Sequence, residues 1–116
     1  GGAVARDGAE LSSEVRRDDY LERLAQASER ARWVCAADKI HNGSTVLADL
    51  KRTEFPETVW GRFRSGREGT ARWYRQVHDR LREVGFTAPI MDGLREVAES
   101  LGRAAESSAP SRPTWR

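Results

Sequence analysis

The sequence lacks the features of a disulfide-linked, membrane-spanning or strongly charged protein. Its 116 residues include one cysteine, so the chain cannot form an internal disulfide. No apolar run is long enough to span a bilayer, and Gly1–Glu10 lacks the apolar segment of a secretory signal. The net charge is only +2, which gives no overall attraction to nucleic acid. We therefore expect a cytoplasmic protein with neither a membrane nor a nucleic-acid partner.

The chain is long enough for one small domain. Hydrophobic residues make up 38% and charged residues 33% of the sequence, which allows one modest core. Residues 1–11 are rich in glycine and alanine and lack periodicity, so we expect a flexible arm there. Residues 107–116 contain two prolines and three serines and are predicted to be a disordered tail. Residues 12–106 are the predicted helical domain.

The hydrophobic periodicity of this domain is helical, and no stretch alternates as a strand would. Pro56 fits the start of one helix and Gly85 fits the end of another. The sequence therefore predicts an all-α fold, a compact helical domain of four to five helices around a central buried helix. The predicted helices are Ser12 or Ser13 to Ala27, Ala31–Leu50, Pro56–Phe63, Arg67–Val84, and a last helix that Asp92 caps.

Ala31–Leu50 is the predicted central helix, because it is apolar on nearly every side and should be buried. Its polar side chains Asp38, Asn42 and Thr45 share one face. A buried carboxylate is costly unless it is paired or bound to a metal, so Asp38 is either an arginine's partner or a metal ligand. Gly43 predicts close approach of another helix or of a ligand. The predicted inward face is Trp33, Ala36, Ala37, Ile40, Leu47 and Leu50.

The segment A-A-D-K-I-H-N, residues 36–42, carries a resemblance to a known family. It resembles the last conserved segment of the HD-domain phosphohydrolases and is most similar to the branch that hydrolyses the alarmone guanosine tetraphosphate. Two later stretches look like the following helices of bacterial members: V-W-G-R-F-R-S-G-R-E-G-T-A-R-W-Y and P-I-M-D-G-L-R-E-V-A-E-S-L. The resemblance covers about residues 14–104, and D-K-I-H-N is its most specific part.

This resemblance implies a metal-dependent hydrolysis of a nucleotide phosphate or pyrophosphate, as in the bacterial stringent response. It implies that Asp38 is a ligand of a divalent, manganese-type metal, whose bound water attacks phosphorus. It also implies that Asn42, Thr45 and Lys39 contact the nucleotide substrate. The residues themselves leave other roles open. Asn42 and Thr45 could bond to the backbone inside a core, Lys39 could lie at the helix margin, and His41 is expected to pack.

Three of the family's four metal ligands are absent from this sequence. The family holds its metal with a His, then a His-Asp doublet, then the final Asp, but no histidine precedes His41 here. The doublet His78-Asp79 follows Asp38, so we interpret it as a solvated pair on the polar side of its helix. One ligand cannot hold a catalytic ion, since catalytic sites need about three protein ligands.

Two hypotheses follow. The chain is a phosphohydrolase whose other metal ligands come from elsewhere, or it is a truncated, non-catalytic relative that acts as a helical oligomerisation or partner-binding module. The second hypothesis implies a homo-oligomer or a partner helix on an uncovered apolar face.

An arginine cluster lies downstream of the motif. Residues 61–82 hold seven arginines against Glu68 and Asp79, a local net charge of +5. Such a run is usually solvated surface, although it could meet a nucleotide, RNA or an acidic partner. The cluster is Arg62, Arg64, Arg67, Arg72, Arg75, Arg80 and Arg82.

Overall fold

A computed structural model describes residues 15–108 of the chain, and these form five α-helices with no strand among them. The helices are α1 (15–26), α2 (Glu29–Arg52), α3 (Pro56–Trp60), α4 (Gly66–Glu83) and α5 (Ile90–Ser107). The all-α fold class predicted from the sequence is confirmed. None of these helices is both long enough and apolar enough to cross a lipid bilayer. The predicted arm, the caps Ser12 and Ser13, and most of the predicted tail lie outside the described residues.

Local signals in the sequence set most helix ends. Ser28 caps α2, since its hydroxyl accepts a hydrogen bond from the Ala31 amide at 3.1 Å. Gly85 ends α4 with φ of +88°, a left-handed conformation that suits glycine, and the Phe86 amide then donates to the Leu81 carbonyl at 2.9 Å. The predicted Asp92 cap is wrong, because α5 begins at Ile90 and Asp92 lies in its first turn.

Helix α5 lies at the centre of the fold and packs against both α2 and α4. Leu94 and Leu101 on α5 are fully buried. One core cluster gathers around Leu94 with side chains of α1, α2 and α4, and the other gathers around Leu101 with side chains of α2, α3 and α4. All five residues predicted to face inward from this helix do so: Leu94, Val97, Ala98, Leu101 and Ala105.

Helix α2 is not the buried central helix that its composition predicts. Its buried residues are Cys35, Ala36, Gly43 and Val46, and the rest of the helix is partly or fully exposed. Four residues of the predicted inward face do face the core: Ala36 is buried, and Ile40, Leu47 and Leu50 are partly buried and pack against it. The other two do not, because Trp33 is 40% exposed and Ala37 is exposed as well. Small residues make α2 apolar without making it a core helix, because alanine has little surface to bury on either side.

Gly43 is the point where α2 comes closest to its neighbours. A Cβ atom at this position would overlap Val97 Cγ1 of α5 and lie 3.0 Å from Tyr74 Cε2 of α4. The close approach of another helix predicted from this glycine is therefore confirmed. It fixes which side of α2 faces the core, and the opposite side carries the motif residues.

Candidate functional site

The D-K-I-H-N motif lies on the exposed side of α2. We name this side the α2 outer face, and within residues 15–108 no helix covers it. Asp38 is solvent-facing, with 58% of its side chain exposed, so the predicted buried carboxylate is wrong. The reason is that α5 covers the side of α2 opposite to Asp38. The α2 outer face consists of Ala31, Val34, Asp38, His41, Asn42 and Thr45, all exposed.

The polar side chains of this face bond to one another along the helix. Asn42 Nδ2 donates to Asp38 Oδ2 at 3.3 Å, one turn apart. Thr45 Oγ1 donates to the His41 carbonyl at 3.0 Å, so this hydroxyl is held against its own helix. The structure thus brings Asp38, Asn42 and Thr45 together on one face, as the spacing predicts. It exposes His41, which we had expected to pack.

Lys39 lies at the edge of this face and turns towards α1. Its side chain is only 15% exposed, and its Nζ lies 5.2 Å from the centre of the Tyr20 ring and 3.9 Å from Asp38 Oδ2. Tyr20 and Cys35 are hydrogen-bonded, oxygen to sulfur, at 2.9 Å. Burial is the main cause that raises the pKa of both the Tyr20 phenol and the Cys35 thiol. Both groups are therefore neutral near neutral pH, and Cys35 is not a reactive thiolate.

The residues described here do not form a metal site by themselves. Asp38 is the one carboxylate of the α2 outer face, and residues 15–108 contain no cluster of three or more His, Cys, Asp or Glu side chains that could hold an ion. Asn42 could add an amide oxygen, which still leaves fewer than the roughly three protein ligands of a catalytic ion. Asp38 and Asn42 alone therefore supply too few ligands for metal-dependent catalysis.

The His78-Asp79 doublet is not the solvated pair that we predicted. His78 is 9% exposed, while 53% of the Asp79 side chain is exposed. Their side chains are joined at 2.9 Å, from His78 Nδ1 to Asp79 Oδ1. His78 follows the buried Val77 and precedes the buried Leu81 by three residues, which places it at the margin of the apolar face of α4. That position was visible in the sequence, and we misassigned it.

The arginines of the cluster are spread over the surface and do not converge on one site. Arg62 pairs with Asp49 of α2 at 2.7 Å, and Arg80 lies 3.6 Å from Glu83. Arg64, Arg72 and Arg75 are exposed. The cluster therefore supplies separate surface charges and local ion pairs, as expected for a solvated run.

No protein-family model matches the chain, and a search of curated proteins finds no significant match. The resemblance to the HD-domain phosphohydrolases stays a prediction that rests on the motif residues of α2.

The α2 outer face continues along most of the helix. Ala31, Val34, Asp38, His41 and Thr45 recur at intervals of three, four, three and four, and the half-buried Ala48 continues the series. Two helices that pack along their length meet along such a series, or seam, and Ala31, Val34 and Ala48 are its apolar members. The seam is narrow, with small residues at both ends and two polar residues in the middle.

Proposed function

We propose that this chain is a helical self-association module, in which the α2 outer face pairs with the same face of a second copy. The observation that supports this is that Ala31 and Val34 are exposed on a helix face that no other described helix covers. Val34 is 62% exposed, and an exposed apolar side chain within such a seam is stabilised when a second helix covers it. The proposal corresponds to a non-catalytic relative of the HD-domain family.

An antiparallel arrangement makes the seam complementary to itself. With the two-fold axis between residues 39 and 40, Asp38 faces His41 of the second copy, and the symmetry repeats this contact. Val34 then faces Thr45, and Ala31 faces Ala48. Each polar pair joins a carboxylate to an imidazole, and the alanines at the ends allow close approach of the two helices. A parallel arrangement would instead place Asp38 opposite Asp38, which is unfavourable.

Sedimentation equilibrium tests this proposal directly. We expect a species of twice 13.0 kDa that dissociates on dilution. One helix pair buries little area, so we expect a dissociation constant of about 1–100 µM. Val34→Glu should give a monomer, because it places a carboxylate in the seam. Glu96→Lys, on the exposed side of α5, is the control and should leave the dimer intact. A wild-type chain that stays monomeric at about 1 mM contradicts the proposal.

A second candidate is the metal-dependent phosphohydrolase implied by the resemblance. The observation in its favour is that Asp38 and Asn42 are hydrogen-bonded and open to solvent, with Thr45 on the same face. In this candidate, Asp38 contributes one metal ligand, and Asn42, Thr45 and Lys39 contact the nucleotide. A second polypeptide docked on the α2 outer face supplies the first His and the His-Asp doublet.

Metal analysis and a pyrophosphate-release assay with guanosine tetraphosphate separate the two candidates. The self-association module predicts that the chain binds no stoichiometric manganese and does not turn over. Bound manganese together with turnover that Asp38→Ala abolishes would favour the hydrolase. Glu96→Ala is the matched control, since it removes an exposed carboxylate from α5 rather than α2.

A further inference from the structure

A cleft of about 450 Å³ lies where the end of α4 and the start of α5 meet. It is separate from the α2 outer face, because no residue of α2 lines it. Buried Phe86 and Met91 supply apolar wall, and Pro89 lies beside them. A volume of this size is within the range of sites for small organic ligands. The polar side chains that line the cleft are His78, Arg82, Thr87, Asp92 and Arg95.

His78 is the most constrained of these polar groups. Its side chain is 11% exposed, and Asp79 Oδ1 lies 2.9 Å from its Nδ1. The carboxylate accepts the Nδ1 hydrogen, so it fixes the ring and leaves Nε2 as the nitrogen available to a ligand. No hydrogen bond within residues 15–108 uses Nε2. A buried, oriented imidazole with one free nitrogen in a cleft is a binding group without a described partner.

The rest of the cleft favours a negative charge next to this imidazole. The first turn of α5, an 18-residue helix, lines the cleft and carries the positive end of the helix dipole. Arg82 and Arg95 stand at the rim, and both are exposed. Asp92 opposes them, but its Oδ1 is 3.6 Å from Arg95 Nη2, a distance too long for a strong pair. An anion could therefore draw Arg95 away from Asp92.

We propose that this cleft binds a phosphate monoester whose organic part is apolar. The phosphate group lies between His78 Nε2, Arg95 and the start of α5, and its organic part lies against Phe86 and Met91. Phosphate fits better than sulfate because a phosphate monoester in its singly charged form keeps one hydroxyl that can donate to Nε2, while its other oxygens accept from Arg95. Arg82 adds a second positive charge at the rim.

Proton NMR of the imidazole signals tests this inference with phenyl phosphate as the probe. The chain has two histidines, so His41 on the α2 outer face serves as an internal control. We expect the His78 signal to shift saturably with a dissociation constant of about 1 mM while the His41 signal stays in place. Inorganic phosphate, which lacks the apolar part, and phenyl sulfate, which has no hydroxyl to donate to Nε2, should each bind at least several-fold more weakly.

Variants of exposed cleft residues test the same inference without changing His78. Arg95→Gln should weaken phenyl phosphate binding about tenfold, and Asp92→Asn should strengthen it. Arg103→Gln is the matched control, because Arg103 lies two turns further along α5, outside the cleft, and should change nothing. The inference is overturned if the His78 signal does not saturate, if both histidine signals shift together, or if Arg103→Gln weakens binding as much as Arg95→Gln.

Discussion

Replacing Gly43 by alanine tests how closely α2 packs on the core. The new methyl group would overlap Val97 Cγ1 and approach Tyr74 Cε2 to 3.0 Å and Leu101 Cδ1 to 3.4 Å. Such overpacking costs about 1–3 kcal/mol, because neighbouring side chains must leave their rotamers or the helices must separate. Against this, alanine is favoured over glycine inside a helix by about 1 kcal/mol. The net expectation is a loss of about 1 kcal/mol in the free energy of unfolding.

Gly102→Ala is the matched control for this prediction. Gly102 also lies inside a helix, but a Cβ atom there would meet nothing within 4 Å. Only the propensity gain applies, so this variant should be more stable than wild type by about 1 kcal/mol. Urea unfolding followed by tryptophan fluorescence, at one fixed protein concentration, measures both. The packing described for α2 is refuted if Gly43→Ala is as stabilising as Gly102→Ala.

Two further predictions concern α2 and its contact with α1. The stability of the domain should fall as pH rises above about 9, because the folded state raises the pKa of Tyr20 and of Cys35. The unfolded chain, in which these groups have their ordinary pKa values of 10.0 and 9.0, releases the two protons at lower pH. Cys35→Ala should make that decline shallower in urea unfolding series at increasing pH, and an unchanged slope would count against the buried thiol. Ser28→Ala should lower stability by about 1 kcal/mol through loss of the α2 cap, whereas Ser28→Gly should cost only a few tenths. Equal losses for the two Ser28 variants would contradict the capping role.

The sequence predicted the helices well because strong local signals mark them. The inward residues of α5 follow a clean helical spacing with large side chains, and Gly85 and Pro56 mark helix ends whose backbone conformation suits them. Gly43 was correctly taken as a point of close approach. Each of these features depends on a few neighbouring residues, so it can be read without knowing the tertiary structure.

The burial of α2, and which of its sides faces the core, could not be predicted in the same way. Alanine, glycine and serine leave the helix periodicity weak. The inward side keeps most of the predicted face, but it includes Cys35 and Val46 in place of Trp33 and Ala37. Which side is covered depends on α5, which lies some fifty residues away in the sequence. The same uncertainty made Asp38 look buried when it is exposed.

The site at His78 was missed for a related reason. Its position beside Val77 placed it at the margin of an apolar face, where a rotation of the helix by a fraction of a turn decides between burial and solvent. The fold of the α4–α5 connection, which lines the same cleft as His78, is set by Gly85 and by the burial of Phe86. Neither residue indicates a ligand site until the two helix ends are brought together.

A charge swap across the seam of the α2 outer face tests self-association most directly. In the antiparallel pair, His41→Asp replaces both carboxylate–imidazole contacts by facing carboxylates, a change of about 1 kcal/mol at each contact and about thirtyfold in the dissociation constant. The double variant Asp38→His with His41→Asp restores both contacts with the partners exchanged. We therefore expect sedimentation equilibrium to show a weakened dimer for the single variant and a dimer close to wild type for the double variant. If the double variant is as weak as the single one, or if neither differs from wild type, α2 does not pair as we propose.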